Sequence, residues 1–197
     1  MDIRTASKDQ SPLIARLIMQ AMNYDCCRHF IGPDHTLDEF ERVMTDLVAS
    51  DKSQYSYLNT LVALNADNRL CGICVSYDGG ELHRLRRAFI DAMKSRFDRD
   101  FSNIDDETSA GELYLDSLAV VEDCRGQGIA TALLGAAKDK AAAMGLPALG
   151  LLVDKGNPDA ERLYLRSGFE YVGDNAWGGH GMKHLQYKIT KNGQPSD

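Results

Sequence analysis

The strongest chemical signal in the sequence is a stretch in which an apolar strand runs into a glycine-bearing turn and then into a helix, 118–130. Gly126 and Gly128 lie in the turn, directly after Arg125. Such a turn exposes several backbone N–H groups at the positive end of the helix dipole. Glycine also lets the backbone approach a ligand closely. The pattern therefore predicts a binding site for an anionic phosphate group.

The glycines alone also fit a tight turn with a purely structural role, because short glycine patterns are weak evidence. Two nucleotide-binding motifs do not fit the turn. A P-loop needs Lys-Ser or Lys-Thr after the glycines, and neither pair follows here. The dinucleotide fingerprint needs a third small residue at the position where Thr131 stands.

A second candidate site lies in the helix predicted over 157–167, for which Asn157 suits the N-cap. Asn157 and Tyr164 are seven residues apart, about 20° short of two full helical turns. Both side chains are therefore expected on one side of the helix, where one ligand can contact both. The alternative for Tyr164 is a half-buried aromatic ring that packs against Leu163 and Phe169.

Two carboxylates that can accept a proton lie on the strand predicted over 112–121. Side chains alternate between the two faces of a strand, so Glu112, Tyr114 and Asp116 are expected on one face. Glu112 and Asp116 are therefore candidates for a general base, although each also fits a solvated strand residue or a surface ion pair. The opposite face is expected to carry the intervening residues Leu113, Leu115 and Ser117.

The remaining periodicity predicts a single α/β domain around these segments. The predicted elements are a short strand in 3–7, helices over 11–22 and 36–49, strands near 58–65 and 69–77, a helix over 81–97, the strand over 112–121, a helix, a strand over 148–154, the helix over 157–167 and two final strands. The segment CCRHFIGPD is predicted as a loop, and the acidic segment 98–111 as a mobile surface loop.

Composition excludes several classes of protein. The chain has 197 residues, of which 44% are hydrophobic and 26% are charged, which is typical of a folded domain. Lys and Arg number 22 against 29 Asp and Glu, a net charge of −7, so neither nucleic acid nor an anionic membrane is an expected partner. The sequence shows no secretory signal and no apolar run near the roughly 20 residues of a membrane span.

The five cysteines form an odd set without the spacing of a disulfide framework, which favours free thiols and a cytoplasmic location. Cys71 and Cys74 have the C-x-x-C form, but they lie in an apolar run that predicts a buried strand. His180 and His184 lie near hairpin glycines and do not predict a metal pair. No metal site is therefore expected.

The spacing R-x-x-G-x-A, formed by Arg125, Gly128 and Ala130, resembles the phosphate turn of the GNAT N-acetyltransferase superfamily. The resemblance extends upstream through LYLDSLAVVEDCRGQGIATALL and downstream through NPDAERLYLRSGFEYVG, and it covers roughly 111–173. It implies a mixed, mostly antiparallel central sheet with one parallel βαβ crossover, flanked by helices, within a single domain over 1–190. Residues 191–197 are expected to be a frayed tail. The helix over 81–97, between the third and fourth strands, departs from the family pattern.

The resemblance also implies a function and a set of site residues. The function is transfer of an acetyl group from acetyl-CoA to a primary amine of a small molecule or protein, by direct attack and without a metal. Tyr164 matches the tyrosine that protonates the departing thiolate. Glu112 ranks slightly above Asp116 as the base, because some relatives place a glutamate at the strand entrance. The residues implied to contact acetyl-CoA are Leu118, Ala119, Val120, Arg125, Gly126, Gln127, Gly128, Ile129, Ala130 and Asn157.

Several alternatives stay open at the level of the sequence. The chain can instead be a catalytically weak CoA-binding regulatory module, or a structural domain without affinity for CoA. The acceptor would be chosen by the amino-terminal helices, the helix over 81–97 and the hairpin around Trp177. The acidic run 105–107 can attract a cationic amine, or it can be a solvated loop. Many relatives form homodimers, and the sequence does not decide the oligomeric state.

Overall fold

A seven-stranded sheet forms the centre of the structure, a computed structural model that describes residues 1–190. The strands follow the order β1-β2-β3-β4-β5-β7-β6, in which β4 and β5 are parallel and the other neighbours are antiparallel. This mixed sheet confirms the predicted fold class; the expected frayed tail over 191–197 lies outside the described residues. The strands are β1 Asp2–Thr5, β2 Thr60–Leu64, β3 Leu70–Asp78, β4 Leu113–Val120, β5 Ala148–Asp154, β6 Glu170–Trp177 and β7 His180–Lys188.

Within the described residues, six α-helices cover the two faces of the sheet. The helices α1 to α4 pack on one face, where Ile14, Phe40 and Met93 are fully buried. The helix α5 packs on the other face through Leu133 and Leu134. None of the helices within residues 1–190 is long and apolar enough to cross a membrane. The helices are α1 Ser11–Met22, α2 Tyr24–Ile31, α3 Leu37–Ala49, α4 Leu82–Phe97, α5 Ile129–Ala143 and α6 Pro158–Arg166.

The helix α2 corrects the prediction of a loop over CCRHFIGPD. Asn23, at φ +67°, separates α1 from α2, and its side chain accepts a hydrogen bond from the Cys26 N–H. Cys27, Phe30 and Ile31 are buried, and this i, i+3, i+4 spacing is helical. Since the segment is short, packing of these three residues against the core decides its conformation.

The helix α4 lies between β3 and β4, as predicted, and it anchors the acidic segment that follows it. Arg86 of α4 is 4% exposed and forms a buried ion pair with Glu107. The guanidinium group also donates to Asp106 Oδ1 at 3.1 Å. Tyr77 Oη donates to Glu107 Oε1 at 3.0 Å. The prediction of a mobile solvated loop is therefore wrong at Glu107, because a buried cation and a buried hydroxyl hold this carboxylate.

The parallel strands β4 and β5 pair at only two positions, Leu113 with Leu149 and Tyr114 with Gly150. Beyond Tyr114 the two strands diverge. The β5 side of the β4 backbone is therefore left without a strand partner along the rest of β4. This divergence opens the sheet at its centre, next to the turn that leads into α5.

A β-bulge at Asp116 changes which face the later residues of β4 occupy. Ser76 of β3 pairs with Leu115 and Val75 pairs with Ser117, so Asp116 is the extra residue. Beyond the bulge, Leu118 packs toward the α5 core, as Leu115 does before it. The expected strict alternation along β4 is therefore wrong from Asp116 onward, because one inserted residue reverses the faces.

Candidate active site

The turn over 125–128 has the geometry that the sequence predicts. Gly126 and Gly128 have φ values of +74° and +77°, in the left-handed region that favours glycine. A Cβ atom at either position would meet nothing within 4 Å, so the turn is open on its ligand-facing side. Gly128 is the N-cap of α5, which has no side-chain cap. Its free backbone N–H groups and the helix dipole suit an anionic group.

The predicted contact residues Leu118, Ala119 and Val120 lie in the part of β4 that has diverged from β5. On that side the backbone can pair with an extended ligand, as an added strand would. Arg125 Nε donates to the Val120 carbonyl oxygen at 3.4 Å, which links the end of β4 to the turn. The strand edge and the phosphate turn thus form one continuous surface.

The predicted helix cap and tyrosine lie on α6, on the other side of the opening. Asn157 Oδ1 accepts a hydrogen bond from the Ala160 N–H at 3.1 Å, which confirms the N-cap. Tyr164 is half-buried, and its ring centroid lies 5.8 Å from that of Phe169. Burial is the main cause that raises the pKa of the Tyr164 hydroxyl, and the nearby Cys74 raises it further. Tyr164 therefore stays protonated at neutral pH.

Glu112 lies directly before β4 and is 2% exposed. Thr108 Oγ1 donates to its Oε1 at 2.6 Å, and Gln186 Nε2 and His184 Nε2 donate to its Oε2 at 2.7 and 2.8 Å. Burial alone would raise the pKa of Glu112, but these three hydrogen bonds outweigh burial and lower it. The carboxylate rests against Gly150, where a Cβ atom would overlap it. Glu112 is therefore held as an anion with its oxygens occupied.

Asp116 is half-buried at the bulge of β4. Ser117 Oγ donates to its Oδ1 at 2.7 Å, and Gln54 Nε2 donates to its Oδ2 at 3.3 Å. Burial raises the pKa of Asp116, and hydrogen bonds from Ser117 and Gln54 and the charge of Arg86 oppose this effect only in part. Asp116 therefore accepts a proton more readily than an ordinary aspartate does.

The structure separates the two predicted carboxylates into different environments. Glu112 accepts hydrogen bonds from Thr108 and from two residues of β7, whereas Asp116 accepts from the adjacent Ser117 and from Gln54, in the segment between α3 and β2. Sequence reasoning did not find Gln54, His184, Gln186 or Gly150. Gln54 and Asp116 are 62 positions apart, and Glu112 and Gln186 are 74 apart, so no local pattern signals either contact.

Two other expectations concern the cysteines and metals. All five cysteines are free, as predicted, and Cys71 and Cys74 are buried in β3. Among residues 1–190 no group of three His, Cys, Asp or Glu side chains is arranged to hold a metal ion. A separate surface cavity of about 700 Å³ lies between α2 and the start of α3, and no predicted site residue lines it.

The comparison with known proteins adds the family. A model of the acetyltransferase (GNAT) family matches residues 23–169, which is most of the chain. The chain belongs to the GNAT acetyltransferase family. The family membership confirms the resemblance inferred from the phosphate turn and its flanking segments. It also supports the expected class of enzyme, an acyltransferase.

Individual relatives agree with the family. The "Acetyltransferase Atu2258" of Agrobacterium fabrum (strain C58 / ATCC 33970) is 46% identical over 66 residues, which cover 34% of this chain. The match spans 47% of that curated relative, about half its length. A crystal structure described as an acetyltransferase has a TM-score of 0.80 and 29% identity, covering 96% of this GNAT chain and all of its own.

A second solved structure shares the fold at lower identity. The crystal structure of an N-acetyltransferase from Staphylococcus aureus Mu50 has a TM-score of 0.78 and 22% identity. The alignment covers 95% of this chain and 100% of that structure. Since the alignment covers nearly all of both chains, the two proteins share the same overall fold.

The contact between Gly150 and Glu112 predicts a specific cost for Gly150→Ala. The added methyl group would overlap a carboxylate that three hydrogen bonds hold in place, so we expect a loss of about 1–3 kcal/mol in the free energy of unfolding. Urea denaturation measures this loss. Gly135→Ala in α5 is the matched control, because its Cβ would meet nothing within 4 Å and alanine favours a helix.

A Glu112→Ala background completes the test. In the Glu112→Ala protein the added methyl group has room, so Gly150→Ala should lower the free energy of unfolding much less than it does in the wild type. An equal cost in both backgrounds would contradict the contact.

Proposed function

We propose that this GNAT chain is an N-acetyltransferase that uses acetyl-CoA to acetylate a primary amine of a small molecule or a protein by direct nucleophilic attack. The observation that carries the proposal is the opening between β4 and β5, which ends at the glycine turn before α5. Family membership supports the same reaction. The five free cysteines favour a reducing compartment such as the cytoplasm.

The residues around the opening would bind two parts of acetyl-CoA, the pyrophosphate and the pantetheine arm. The backbone N–H groups over 125–130, from Arg125 through Gly126, Gln127, Gly128 and Ile129 to Ala130, would bind the pyrophosphate. The free edge of β4 over 118–120 would pair with the pantetheine arm. A backbone N–H on this edge would polarise the thioester carbonyl. The side-chain amide of Asn157 uses only its oxygen in the helix cap, so its Nδ2 group is available to the cofactor.

Acetyl-CoA supplies the thioester, and the amine nitrogen bonds to its carbonyl carbon as the carbon–sulfur bond breaks. An acceptor bound as an ammonium ion must lose one proton to free its lone pair and a second once the nitrogen has attacked, while the sulfur must gain one. Asp116 accepts the first proton, directly or through water, and the second passes to solvent. Tyr164 donates its hydroxyl proton to sulfur and recovers a proton from solvent. No covalent bond to the chain is required.

We favour Asp116 over Glu112 as the base, which reverses the order inferred from the sequence. Asp116 has a raised pKa and is accessible from the surface. Glu112 has a lowered pKa, is 2% exposed and already accepts three hydrogen bonds. A carboxylate in that state is a weak proton acceptor. Glu112 instead joins β4 to β7.

The phosphate turn is tested by donor binding. Rising concentrations of acetyl-CoA should raise the melting temperature of the wild-type protein progressively, because binding to the folded state adds RT ln(1 + [acetyl-CoA]/Kd) to the free energy of unfolding, about 2.7 kcal/mol at 100 times the Kd. Gly128→Asp should abolish this shift, because the carboxylate repels the pyrophosphate. Gly128→Asn is the control, since asparagine has the same size and also tolerates the left-handed conformation found at Gly128. Equal shifts in the two variants would contradict the phosphate site.

The proton donor is tested by Tyr164→Phe. Release of the CoA thiol over a panel of primary amines measures turnover, and we expect kcat to fall about 10²–10⁴-fold with little change in KM for acetyl-CoA. Tyr171→Phe is the control, because Tyr171 is an exposed tyrosine of β6. Saturable donor binding without thiol release for any amine would instead support the regulatory module.

The base is tested by the pH dependence of kcat. Because Asp116 must be ionised to act, and burial raises its pKa, the wild-type rate should fall on the acid side at a pH above the usual aspartate value of about 3.9. Asp116→Asn should lower kcat and remove this acid limb. Glu112→Gln should keep the limb, since the pKa of Glu112 is lowered. An acid limb that persists in Asp116→Asn would rule out this base.

A further inference from the structure

Gln54 carries a buried polar atom that the fold leaves without a partner. The side chain lies between α3 and β2 and is 3% exposed. Its Nε2 group faces Asp116 Oδ2 at 3.3 Å and Glu107 Oε1 at 3.5 Å. Carboxylates only accept hydrogen bonds, so the nitrogen must face them. The amide oxygen, Gln54 Oε1, then has no hydrogen-bond partner among residues 1–190.

A buried acceptor without a donor is uncommon, because its lost hydration is not replaced. Oε1 shares a carbon atom with Nε2, which contacts Asp116 Oδ2 at 3.3 Å, so Oε1 lies near Asp116. Asp116 itself is only half-buried. The missing donor can therefore come from a molecule that approaches Asp116.

The charges around Gln54 favour a cationic donor. Arg86 is the cation beside this cluster, and it is already engaged by Glu107 and Asp106. Counting Asp116, three carboxylates face one guanidinium group. Tyr55 and Tyr114 are buried nearby, and the charge of Asp116 adds to burial in raising the pKa of both hydroxyls. An excess of negative charge in a partly dehydrated setting attracts an ammonium group.

We propose that Gln54 Oε1 is the second hydrogen-bond acceptor, beside Asp116, for the primary ammonium group of the acceptor substrate. This inference rests on the proposed function. A primary ammonium group has three N–H bonds. One can face Asp116, to which the proton is lost, while another is held by Gln54 and fixes the direction of the nitrogen lone pair. A quaternary ammonium group has no N–H bond to offer, so the site favours a primary ammonium group over a quaternary one.

The experiment uses a simple cation as the probe, so that it does not depend on the unidentified acceptor. Binding of n-butylammonium chloride to the CoA-loaded protein is followed by thermal shift at constant ionic strength. The comparison ligand is n-butyltrimethylammonium chloride, which has the same charge and alkyl chain. We expect saturable binding of the primary cation and at least about tenfold weaker binding of the quaternary one, since a hydrogen bond to a charged group is lost.

Two variants locate the selectivity. Gln54→Met keeps the length of the side chain without its polar atoms, and it should weaken n-butylammonium binding about tenfold while the quaternary cation is unaffected. Gln20→Met on α1 is the matched control and should bind both cations as the wild type does. Because the wild-type comparison of the two cations needs no variant, the inference stays testable even if Gln54→Met fails to fold.

The outcomes are distinct for the inference and for the proposed function. Equal binding of the two cations, no saturable binding, or unchanged selectivity in a folded Gln54→Met protein would overturn the inference, and a water molecule would then be the partner of Oε1. Acetyl transfer to the amine panel with such results would leave the proposed function standing. Selective binding of n-butylammonium without any acetyl transfer would support the cation site and contradict the proposed function.

Discussion

The structure depends on the separation of two parallel strands that are paired at only two positions. From Leu115 onward β4 has no strand partner on its β5 side, so backbone groups that a closed sheet would use internally are open to a ligand. The bulge at Asp116 lies at the start of this open stretch. It places the Asp116 carboxylate next to Gln54 and Ser117. The open strand edge and the proposed base thus lie close together along β4.

The two carboxylates near β4 show how their surroundings set proton affinity. Glu112 is the more deeply buried, yet three donors keep its pKa low. Asp116 accepts only two hydrogen bonds, one of them long at 3.3 Å, and burial raises its pKa. Hydrogen bonds to the ionised form therefore outweigh burial at Glu112 but not at Asp116. Two carboxylates only four positions apart therefore have opposite shifts of pKa.

The helix α4 that interrupts the usual strand connection contributes charge to the site. Its Arg86 is buried and holds Glu107, and the same carboxylate accepts from Tyr77 and lies near Gln54. A buried arginine needs such partners, because an unpaired charge is costly in a dry interior. The contacts of Arg86 on α4 thereby hold Glu107 in place on one side of Asp116. Family members without this helix would need another way to hold a residue in that position.

The sequence by itself determined the features that depend on neighbouring residues. The glycine turn, the Asn157 cap and most strand and helix positions were predictable, because each follows from local sterics and hydrogen bonds. Only the tertiary structure decided the helix α2, the bulge at Asp116, the Arg86–Glu107 pair and the partners of Glu112. These depend on contacts between distant segments, whose packing and burial no local pattern encodes.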